Sequence, residues 1–181
     1  APADEDELRK LLFTAVNYQE GPFSIRYPRG EGIGIKEFSE LENIPLGSWQ
    51  IKKAGNPKIV ILAVGTMVVQ SLEAIKSLDG YNPTVVNCRF IKPFDHNMLE
   101  KIAAEAEIIL TVEENSLSSG FGEMILSNIE KMGYKKRFNA LGIPDFFVSH
   151  GCTKRLLNDI KLDAEGIRIT LQEMIKKEYD E

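Results

Sequence analysis

Residues 59–64 form an unbroken apolar run rich in β-branched side chains, and this run constrains the fold more than any other stretch. A strand that is buried on both faces is apolar throughout, whereas a strand with one face in water alternates. Strand-like runs at residues 84–90, 108–112 and 137–143 follow, separated by segments whose apolar residues have helical spacing. This alternation predicts a three-layer α/β/α fold, with helices on both faces of a mainly parallel sheet.

The chain divides into three segments of different character. A helix over residues 4–18 begins in an acidic cluster, and its apolar face is predicted to contain Leu8, Leu11, Leu12 and Ala15. That apolar face needs a packing partner. The helix and the short strand that follows it therefore indicate that this segment is part of a larger domain. We predict the end of one domain at residues 1–35, a linker anchored by Trp49 at residues 36–56, and a complete domain at residues 57–181.

The composition argues against several classes of function. The 181 residues carry a net charge of −5, whereas nonspecific binding to nucleic acids or anionic membranes requires basic patches. No apolar run approaches the roughly 20 residues that span a bilayer, and no signal-peptide pattern opens the chain. Cys88 and Cys152 have the spacing of neither a zinc site nor a redox pair, and the two histidines are too few for a histidine-rich metal centre. We predict a cytoplasmic protein with reduced thiols.

Two arginines lie in a segment rich in proline and glycine, Arg26-Tyr27-Pro28-Arg29-Gly30, which Gly32 and Gly34 follow. The guanidinium group is a permanently charged planar fork that matches phosphate or carboxylate oxygens. Pro28 ends the predicted strand, so Arg29 falls in the loop past its carboxyl end, where open α/β sheets place ligands. Arg26 lies within the strand, and we predict a partly buried ion pair for it. The glycines either let the backbone approach a phosphate or act as flexible spacers.

Four other charged or titratable residues are predicted to have structural roles. Glu113 and Glu114 are neighbours on a strand and point opposite ways, so they cannot act together as one acid–base pair. At least one of them is predicted to bond to loop N–H groups or to a neighbouring subunit. Asp145 and His150 flank two phenylalanines, but no nucleophile is evident beside them. We predict a packing or interface role for this loop.

Two predicted helix N-termini, at Gly65-Thr66 and at residues 119–122, present backbone N–H groups of the kind that attract anions. Neither matches a dinucleotide-binding fingerprint or a P-loop, so we predict ordinary capping at both. Lys92-Pro93-Phe94-Asp95 is predicted to connect a strand to a helix that Asp95 caps.

The order of these motifs along the chain resembles the carboxyl-terminal portion of the 1-deoxy-D-xylulose-5-phosphate synthases, a family of transketolase-like thiamine-diphosphate enzymes. The resemblance covers essentially the whole chain. The motifs that carry it are Arg26-Tyr27-Pro28-Arg29-Gly30, Arg89-Phe90-Ile91-Lys92-Pro93-Phe94-Asp95, Thr111-Val112-Glu113-Glu114-Asn115, Gly120-Phe121-Gly122, Leu141-Gly142-Ile143-Pro144-Asp145-Phe146-Phe147, Gly151 and Leu162-Asp163-Ala164-Glu165-Gly166-Ile167.

The resemblance implies a three-domain enzyme that condenses pyruvate with glyceraldehyde 3-phosphate, with loss of carbon dioxide, and so feeds isoprenoid, thiamine and pyridoxal synthesis. It implies thiamine diphosphate and magnesium as cofactors of the full-length enzyme. A glutamate of the middle, pyrimidine-binding domain and a Gly-Asp-Gly motif of the first domain serve those cofactors in the family. Gly-Asp-Gly is absent from this sequence. We therefore expect neither cofactor to bind this chain, and we expect no catalytic residue in it.

By the same resemblance, residues 1–35 correspond to the last helix and strand of the pyrimidine-binding domain, and residues 57–181 to the transketolase C-terminal domain. Arg29 matches the family arginine that holds the phosphate of glyceraldehyde 3-phosphate, and Arg26 has a weaker, supporting role. The expected partners are the missing amino-terminal domains and a second copy in a homodimer, and the chain alone is expected to be inactive. The residues left in structural roles are Glu113, Glu114, Asp145 and His150.

Three alternatives stay open, two of them enzymes. The chain could be a split transketolase or a 2-oxoacid dehydrogenase β-type subunit, or an independent α/β module that binds a phosphorylated ligand or a partner protein. The opening helix, which has no sheet of its own to complete, favours part of an enzyme over an independent module. The Arg-Tyr-Pro-Arg-Gly motif favours the synthases over the other two enzymes.

Overall fold

The computed structural model describes residues 1–30, 32, 34–35, 40–78 and 80–176. The remaining positions of the three predicted segments, residues 31, 33, 36–39, 79 and 177–181, lie outside the described residues. The described strands are β1 (Gln50–Lys53), β2 (Asn56–Ala63), β3 (Pro83–Asn87), β4 (Ile108–Ser116) and β5 (Arg137–Ile143). The described helices are α1 (Glu5–Asn17), α2 (Met67–Lys76), α3 (His96–Glu105), α4 (Phe121–Lys131), α5 (Thr153–Asp159) and α6 (Ala164–Lys176).

The strands form one sheet in the spatial order β1-β3-β2-β4-β5. The four strands from β2 to β5 run parallel, and β1 pairs antiparallel with β3 at one edge. Helices α2, α3 and α4 connect successive parallel strands, as crossover connections between parallel strands require. The prediction of an α/β fold with a mainly parallel sheet is confirmed.

The sheet is buried on both faces, which explains the unbroken apolar run in β2. Ile59, Ile61 and Ala63 face a core cluster that α2 and α6 cover. The intervening residues of the run, Val60, Leu62 and Val64, face a second cluster that α3 and α4 cover. Side chains alternate across a strand, so both sets must be apolar when each face of the sheet carries helices.

The strand β1 was not predicted from the sequence. It lies within residues 36–56, the stretch assigned above to a linker, and all four of its residues are exposed. Its register with β3 is irregular between Ile51 and Lys53. A short, exposed edge strand has no buried face to impose an apolar pattern, so its sequence resembles that of a loop.

Trp49 and Asp95 fix the connection that leads into β1. The Trp49 side chain is buried, and its Nε1–H donates to the backbone oxygen of Phe90 at 2.8 Å. Asp95 Oδ2 accepts from the backbone N–H of Trp49 at 3.0 Å, while Asp95 Oδ1 accepts from the N–H of Met98 in the first turn of α3. The predicted anchor and the predicted cap are therefore both confirmed, and Asp95 connects the two.

The predicted buried face of the first helix is wrong in part. α1 buries Glu7, Leu11 and Thr14, whereas Leu12 is 48% exposed. Thr14 Oγ1 accepts from the backbone N–H of Ile44 at 2.8 Å and donates to an oxygen within the helix. Hydrogen bonds of buried polar side chains therefore determine which side of α1 packs inward. The spacing of the apolar residues alone could not predict the buried side.

The two cysteines lie in different environments and are both free thiols. Cys88 is completely buried, and this burial raises the pKa of its thiol well above the ordinary value, with the nearby Asp95 adding to the effect. Cys152 is exposed, immediately before α5. The prediction of unpaired thiols is confirmed.

Candidate functional site

The arginine segment runs from residue 22 to residue 30 and packs on one side only. Phe23 and Ile25 pack against a small cluster formed by Leu11, Ile44 and Phe90. The alternate residues Ser24 and Arg26 are exposed, as the two-residue period of an extended segment requires. Residues 22–28 do not form a strand, so the strand predicted before Pro28 pairs with no sheet in the described chain.

The two arginines of this segment both reach solvent. Arg29 is exposed, and no hydrogen bond or ion pair joins it to the described part of the chain. Arg26 is also exposed and lacks an ion pair with any described carboxylate, so the prediction of a partly buried ion pair is wrong. It fails because the Arg26 side chain lies on the outer face of the segment and is exposed.

The glycines after Arg29 pass close to the beginning of α1. The backbone N–H of Gly34 donates to Glu5 Oε1 at 2.9 Å. A side chain at Gly32 would overlap the Glu5 carboxylate, and Gly34 has a φ of 89°, in the left-handed region that favours glycine. The loop is therefore held against α1 by a charge-assisted hydrogen bond to Glu5. The choice between a backbone approach to a phosphate and a flexible spacer stays a prediction.

Glu113 and Glu114 perform two separate structural tasks on opposite faces of β4. Glu113 is 1% exposed, and its carboxylate accepts from the backbone N–H groups of Phe121 at 2.9 Å and Gly122 at 2.8 Å, at the beginning of α4. Glu114 is half-buried and accepts from Thr66 Oγ1 at 2.9 Å, next to the beginning of α2. The prediction that at least one of them bonds to loop N–H groups is confirmed.

Gly122 lets α4 approach the sheet closely enough for this capping. A Cβ at this position would lie 2.7 Å from Thr111 Oγ1 and 2.8 Å from the Cβ of Ala140, so a larger residue would push the helix away from β4 and β5. The N–H groups at residues 121–122 are occupied by Glu113, which confirms ordinary capping there.

A buried polar cluster that no sequence motif indicates joins α1 to the end of β3. Glu7 is 6% exposed, and both of its carboxylate oxygens accept from Asn87 Nδ2 at 2.8 Å. Arg89 Nη1 lies 3.6 Å from Glu7 Oε1, and the same guanidinium group donates to the backbone oxygen and the hydroxyl oxygen of Ser48. Glu7 also accepts from the backbone N–H of Ala3 at 2.7 Å. We call Glu7, Asn87 and Arg89 the docking cluster.

The crevice at the carboxyl ends of β2 and β4 is the usual ligand position of an open α/β sheet, because the crossover connections leave these two strands in opposite directions. Here Val64, Gly65, Thr66 and Glu114 form its sheet side. Its other side is formed by the chain itself, at residues 1–2 and 26–28, and only about 150 Å³ of space remains between them. We call this the switch crevice.

The loop after β5 presents two phenylalanines to solvent. Phe146 is 63% exposed and Phe147 is fully exposed. Asp145 and His150 are exposed on either side, and no hydrogen bond or ion pair joins them within the described residues. The geometry favours the predicted interface role over a catalytic His–Asp couple, since adjacent exposed aromatic side chains are typical of contact surfaces.

Neither a metal-ligand cluster nor a membrane-spanning helix occurs among the residues that the structure describes. In this part of the chain, no three His, Cys, Asp or Glu side chains come together as metal ligands. None of its helices combines the length and the apolar character needed to cross a bilayer.

The chain is similar to one known protein family and to several known proteins. Residues 47–167 match the family model "Transketolase, C-terminal domain". A 1-deoxy-D-xylulose-5-phosphate synthase of Bacillus velezensis is 44% identical over 164 residues, and one of Bacillus licheniformis is 42% identical over 180 residues. A synthase of Shewanella baltica is 39% identical over 167 residues. These alignments cover 89%, 97% and 92% of this chain.

The same alignments cover 26% to 28% of the length of those synthases, so the chain spans about a quarter of each relative. Among solved structures, a chain described as "Split gene transketolase, inactive beta4 tetramer" superposes with a TM-score of 0.83 at 28% sequence identity. That alignment covers 97% of this chain and 56% of the other. The family match extends over most of the folded sheet and its helices, and the chain belongs to the transketolase C-terminal domain family.

Proposed function

We propose that this chain is the carboxyl-terminal part of a 1-deoxy-D-xylulose-5-phosphate synthase. The complete enzyme would condense pyruvate with glyceraldehyde 3-phosphate, with loss of carbon dioxide, in the cytoplasm. The proposal is supported by relatives of that name at 39% to 44% identity over most of the chain. The exposed Leu12 and Val16 of α1 would be covered by the remaining domains, because large exposed apolar side chains on one helix are typical of an interface.

Arg29 carries the functional part of the proposal. It is exposed, it has no partner among the described residues, and it follows Pro28 in a loop that Glu5 holds against α1. A guanidinium group with free donors can bind two oxygens of a phosphate at once. We assign Arg29 to the phosphate of glyceraldehyde 3-phosphate, and Arg26 to a supporting position in the same segment.

The cofactors would be held elsewhere in the complete enzyme. Two observations support this: the sequence has no Gly-Asp-Gly, the motif that serves these cofactors in the family, and the described His, Cys, Asp and Glu side chains include no metal-binding group of three. We assign no catalytic residue to this chain. Its contributions would be the substrate arginine, the packing of the domains and, through Phe146 and Phe147, a contact with a second subunit of a homodimer.

Replacing Arg29 with alanine tests the assignment. In the complete enzyme, we expect the KM for glyceraldehyde 3-phosphate to rise by roughly 10- to 150-fold, since a charge-assisted contact contributes about 1.5–3 kcal/mol. The KM for pyruvate should stay within about twofold, because pyruvate has no phosphate. Steady-state kinetics with each substrate varied in turn provide the measurement.

Arg155→Ala is the matched control, since Arg155 is an exposed arginine on α5 with 78% of its side chain accessible. It should leave both constants unchanged. If Arg29→Ala altered the pyruvate kinetics and left the aldehyde constant as it was, the phosphate assignment would be wrong.

The chain on its own should bind no thiamine diphosphate and have no synthase activity. Isothermal titration calorimetry with thiamine diphosphate and magnesium should show no heat beyond dilution. Saturable binding with a dissociation constant below about 100 μM would contradict the placement of the cofactor site outside this chain.

A split transketolase subunit is the second candidate. The structural similarity to a chain described as a split gene transketolase supports it, with a TM-score of 0.83. That chain is only 28% identical, so the sequence favours a synthase. Assaying the complete enzyme with pyruvate and with a ketose phosphate as alternative donors would separate the two candidates.

A further inference from the structure

Glu5 is the first residue of α1, and its carboxylate contacts the backbone that follows Arg29. Glu5 Oε1 accepts from the backbone N–H of Gly34 at 2.9 Å. Gly32 passes so close to the same carboxylate that a Cβ at Gly32 would overlap it. We propose that Glu5 is a positioning residue, which fixes the loop that carries Arg29 and so sets where the guanidinium group meets the phosphate. That role depends on the proposed assignment of Arg29 to the substrate phosphate.

Arg29 lies between two points at which the chain is held. On its amino-terminal side, Tyr27 and Pro28 form part of the wall of the switch crevice. On its carboxyl-terminal side, Gly32 lies against Glu5, three residues after Arg29 in the sequence. Consecutive Cα atoms are about 3.8 Å apart, so connections this short restrain Arg29 relative to both points. Without the Glu5 contact, Arg29 would be restrained from its amino-terminal side alone.

Among the described residues, the loop around Arg29 gains little support from packing. A cavity of about 420 Å³ lies between this loop and the beginnings of α1 and α2, and Pro28, Gly30 and Gly32 are among its lining residues. A Cβ at Gly30 would meet no atom within 4 Å. Because the loop borders a cavity and not a packed core, its position depends on the hydrogen bond to Glu5.

The position of Glu5 is in turn determined by the sheet. Asp4 caps α1, since its Oδ1 accepts from the backbone N–H of Glu7 at 2.9 Å. Glu7 joins α1 to Asn87 at the end of β3. Neighbouring acidic residues therefore have different partners, because Glu7 binds the sheet and Glu5 binds the loop. These contacts relate the position of Arg29 to the sheet.

Steady-state kinetics of the complete enzyme test the proposal. Glu5→Ala should raise the KM for glyceraldehyde 3-phosphate by roughly threefold to tenfold, since one solvent-accessible hydrogen bond is lost. The kcat and the KM for pyruvate should stay within about twofold, because Glu5 acts on the loop and not on the reacting atoms. Glu130→Ala is the matched control, since Glu130 is an exposed glutamate on α4, and it should change none of these constants.

Glu5→Gln separates positioning from an effect on the stability of α1. It removes the negative charge that the helix dipole favours at the N-terminus, but it retains an acceptor oxygen for the N–H of Gly34. We expect its KM for glyceraldehyde 3-phosphate to stay within about twofold of that of the unsubstituted enzyme. Equal rises in Glu5→Gln and Glu5→Ala would show that the charge matters and that positioning through the hydrogen bond is wrong.

Gly32→Ala tests the same contact from the side of the loop. Gly32 has no left-handed φ that would itself oppose alanine, so the added methyl group acts by displacing the Glu5 side chain. This variant should raise the KM for glyceraldehyde 3-phosphate as much as Glu5→Ala does. In the Glu5→Ala background it should cause no further rise, because the atoms that the methyl group would overlap are absent. Effects that multiply would contradict the proposed contact.

The double variant with Arg29→Ala separates failure of the positioning role from failure of the substrate assignment. If Glu5 acts through Arg29, adding Glu5→Ala to Arg29→Ala should raise the KM for glyceraldehyde 3-phosphate by no more than about twofold. A further rise as large as that of Glu5→Ala alone would overturn the positioning role. A rise in Arg29→Ala with none in Glu5→Ala would overturn it too and leave the assignment of Arg29 intact. No rise in Arg29→Ala would overturn the assignment, and the positioning role with it.

Discussion

Replacing Glu113 with alanine is expected to lower the free energy of unfolding by about 3–5 kcal/mol, because the carboxylate accepts two buried backbone hydrogen bonds that are each worth about 1.5–3 kcal/mol. The loss would leave the N–H groups of Phe121 and Gly122 without an acceptor at the beginning of α4. It would also remove a negative charge from the helix N-terminus, where the helix dipole favours one. A loss of this size is a large fraction of the roughly 5–15 kcal/mol that stabilises a typical domain.

Glu114→Ala is the matched control, one residue along the same strand. Glu114 is half-buried and accepts one hydrogen bond, from Thr66, so its loss should cost less than about 1.5 kcal/mol. Urea unfolding followed by circular dichroism measures both variants. Glu113→Gln retains the side-chain volume and one acceptor oxygen, so it should fall between the other two. Equal losses for Glu113→Ala and Glu114→Ala would show that capping of α4 is not the role of Glu113.

Replacing Glu7 with alanine should detach α1 from the sheet. Removing one partner of a buried charged pair typically costs about 3–5 kcal/mol, because the other partner stays buried without compensation. Here Asn87 Nδ2 would lose both of its acceptor oxygens, and Arg89 would lose its nearest carboxylate. The cost falls on the contact between α1 and β3, so local opening of α1 is expected before the sheet unfolds.

Hydrogen exchange with mass spectrometry separates local from global opening. Peptides from α1 should exchange as rapidly in Glu7→Ala as in an unfolded chain, while peptides from β2 and β4 keep their protection. Glu100→Ala is the control, since Glu100 is an exposed glutamate on α3, and it should change neither. If α1 retained its protection in Glu7→Ala, the docking cluster would not hold the helix in place.

The central strands could be predicted because burial on both faces leaves a strong apolar signal. β2 and β4 lie in the middle of the sheet, and their runs at residues 59–64 and 108–112 are visible in the sequence. β1 left no such signal, because all four of its residues are exposed. The predicted buried face of α1 was wrong in part because Glu7 and Thr14 are polar but buried. Their hydrogen-bond partners lie far away in the chain, so the local sequence does not show that they are buried.

At the candidate site, residues in local sequence motifs could be predicted, whereas contacts between residues far apart in the chain could not. Arg29 stands out because a local pattern of Pro and Gly surrounds it. The docking cluster joins Glu7 to Asn87, 80 positions away in the chain. The acidic cluster that contains Glu7 does not indicate which distant residue its carboxylate contacts. The capping by Glu113 could be anticipated in kind, since the strand period places neighbouring carboxylates on opposite faces. Glu113 bonds at the beginning of α4 and Glu114 next to the beginning of α2. This choice of helix depends on how the crossover connections place the helices around the sheet, which the sequence alone does not show.

The switch crevice has a consequence for how the domain holds its own chain. Residues 1–2 and 26–28 occupy it as a tethered ligand, and a tether of this length maintains a local concentration of roughly millimolar. Contacts that would give weak binding between separate molecules therefore suffice to keep the crevice filled. A freely diffusing metabolite would have to compete against that local concentration. In the described chain, residues 1–2 and 26–28 therefore lie where open α/β sheets bind exchangeable ligands.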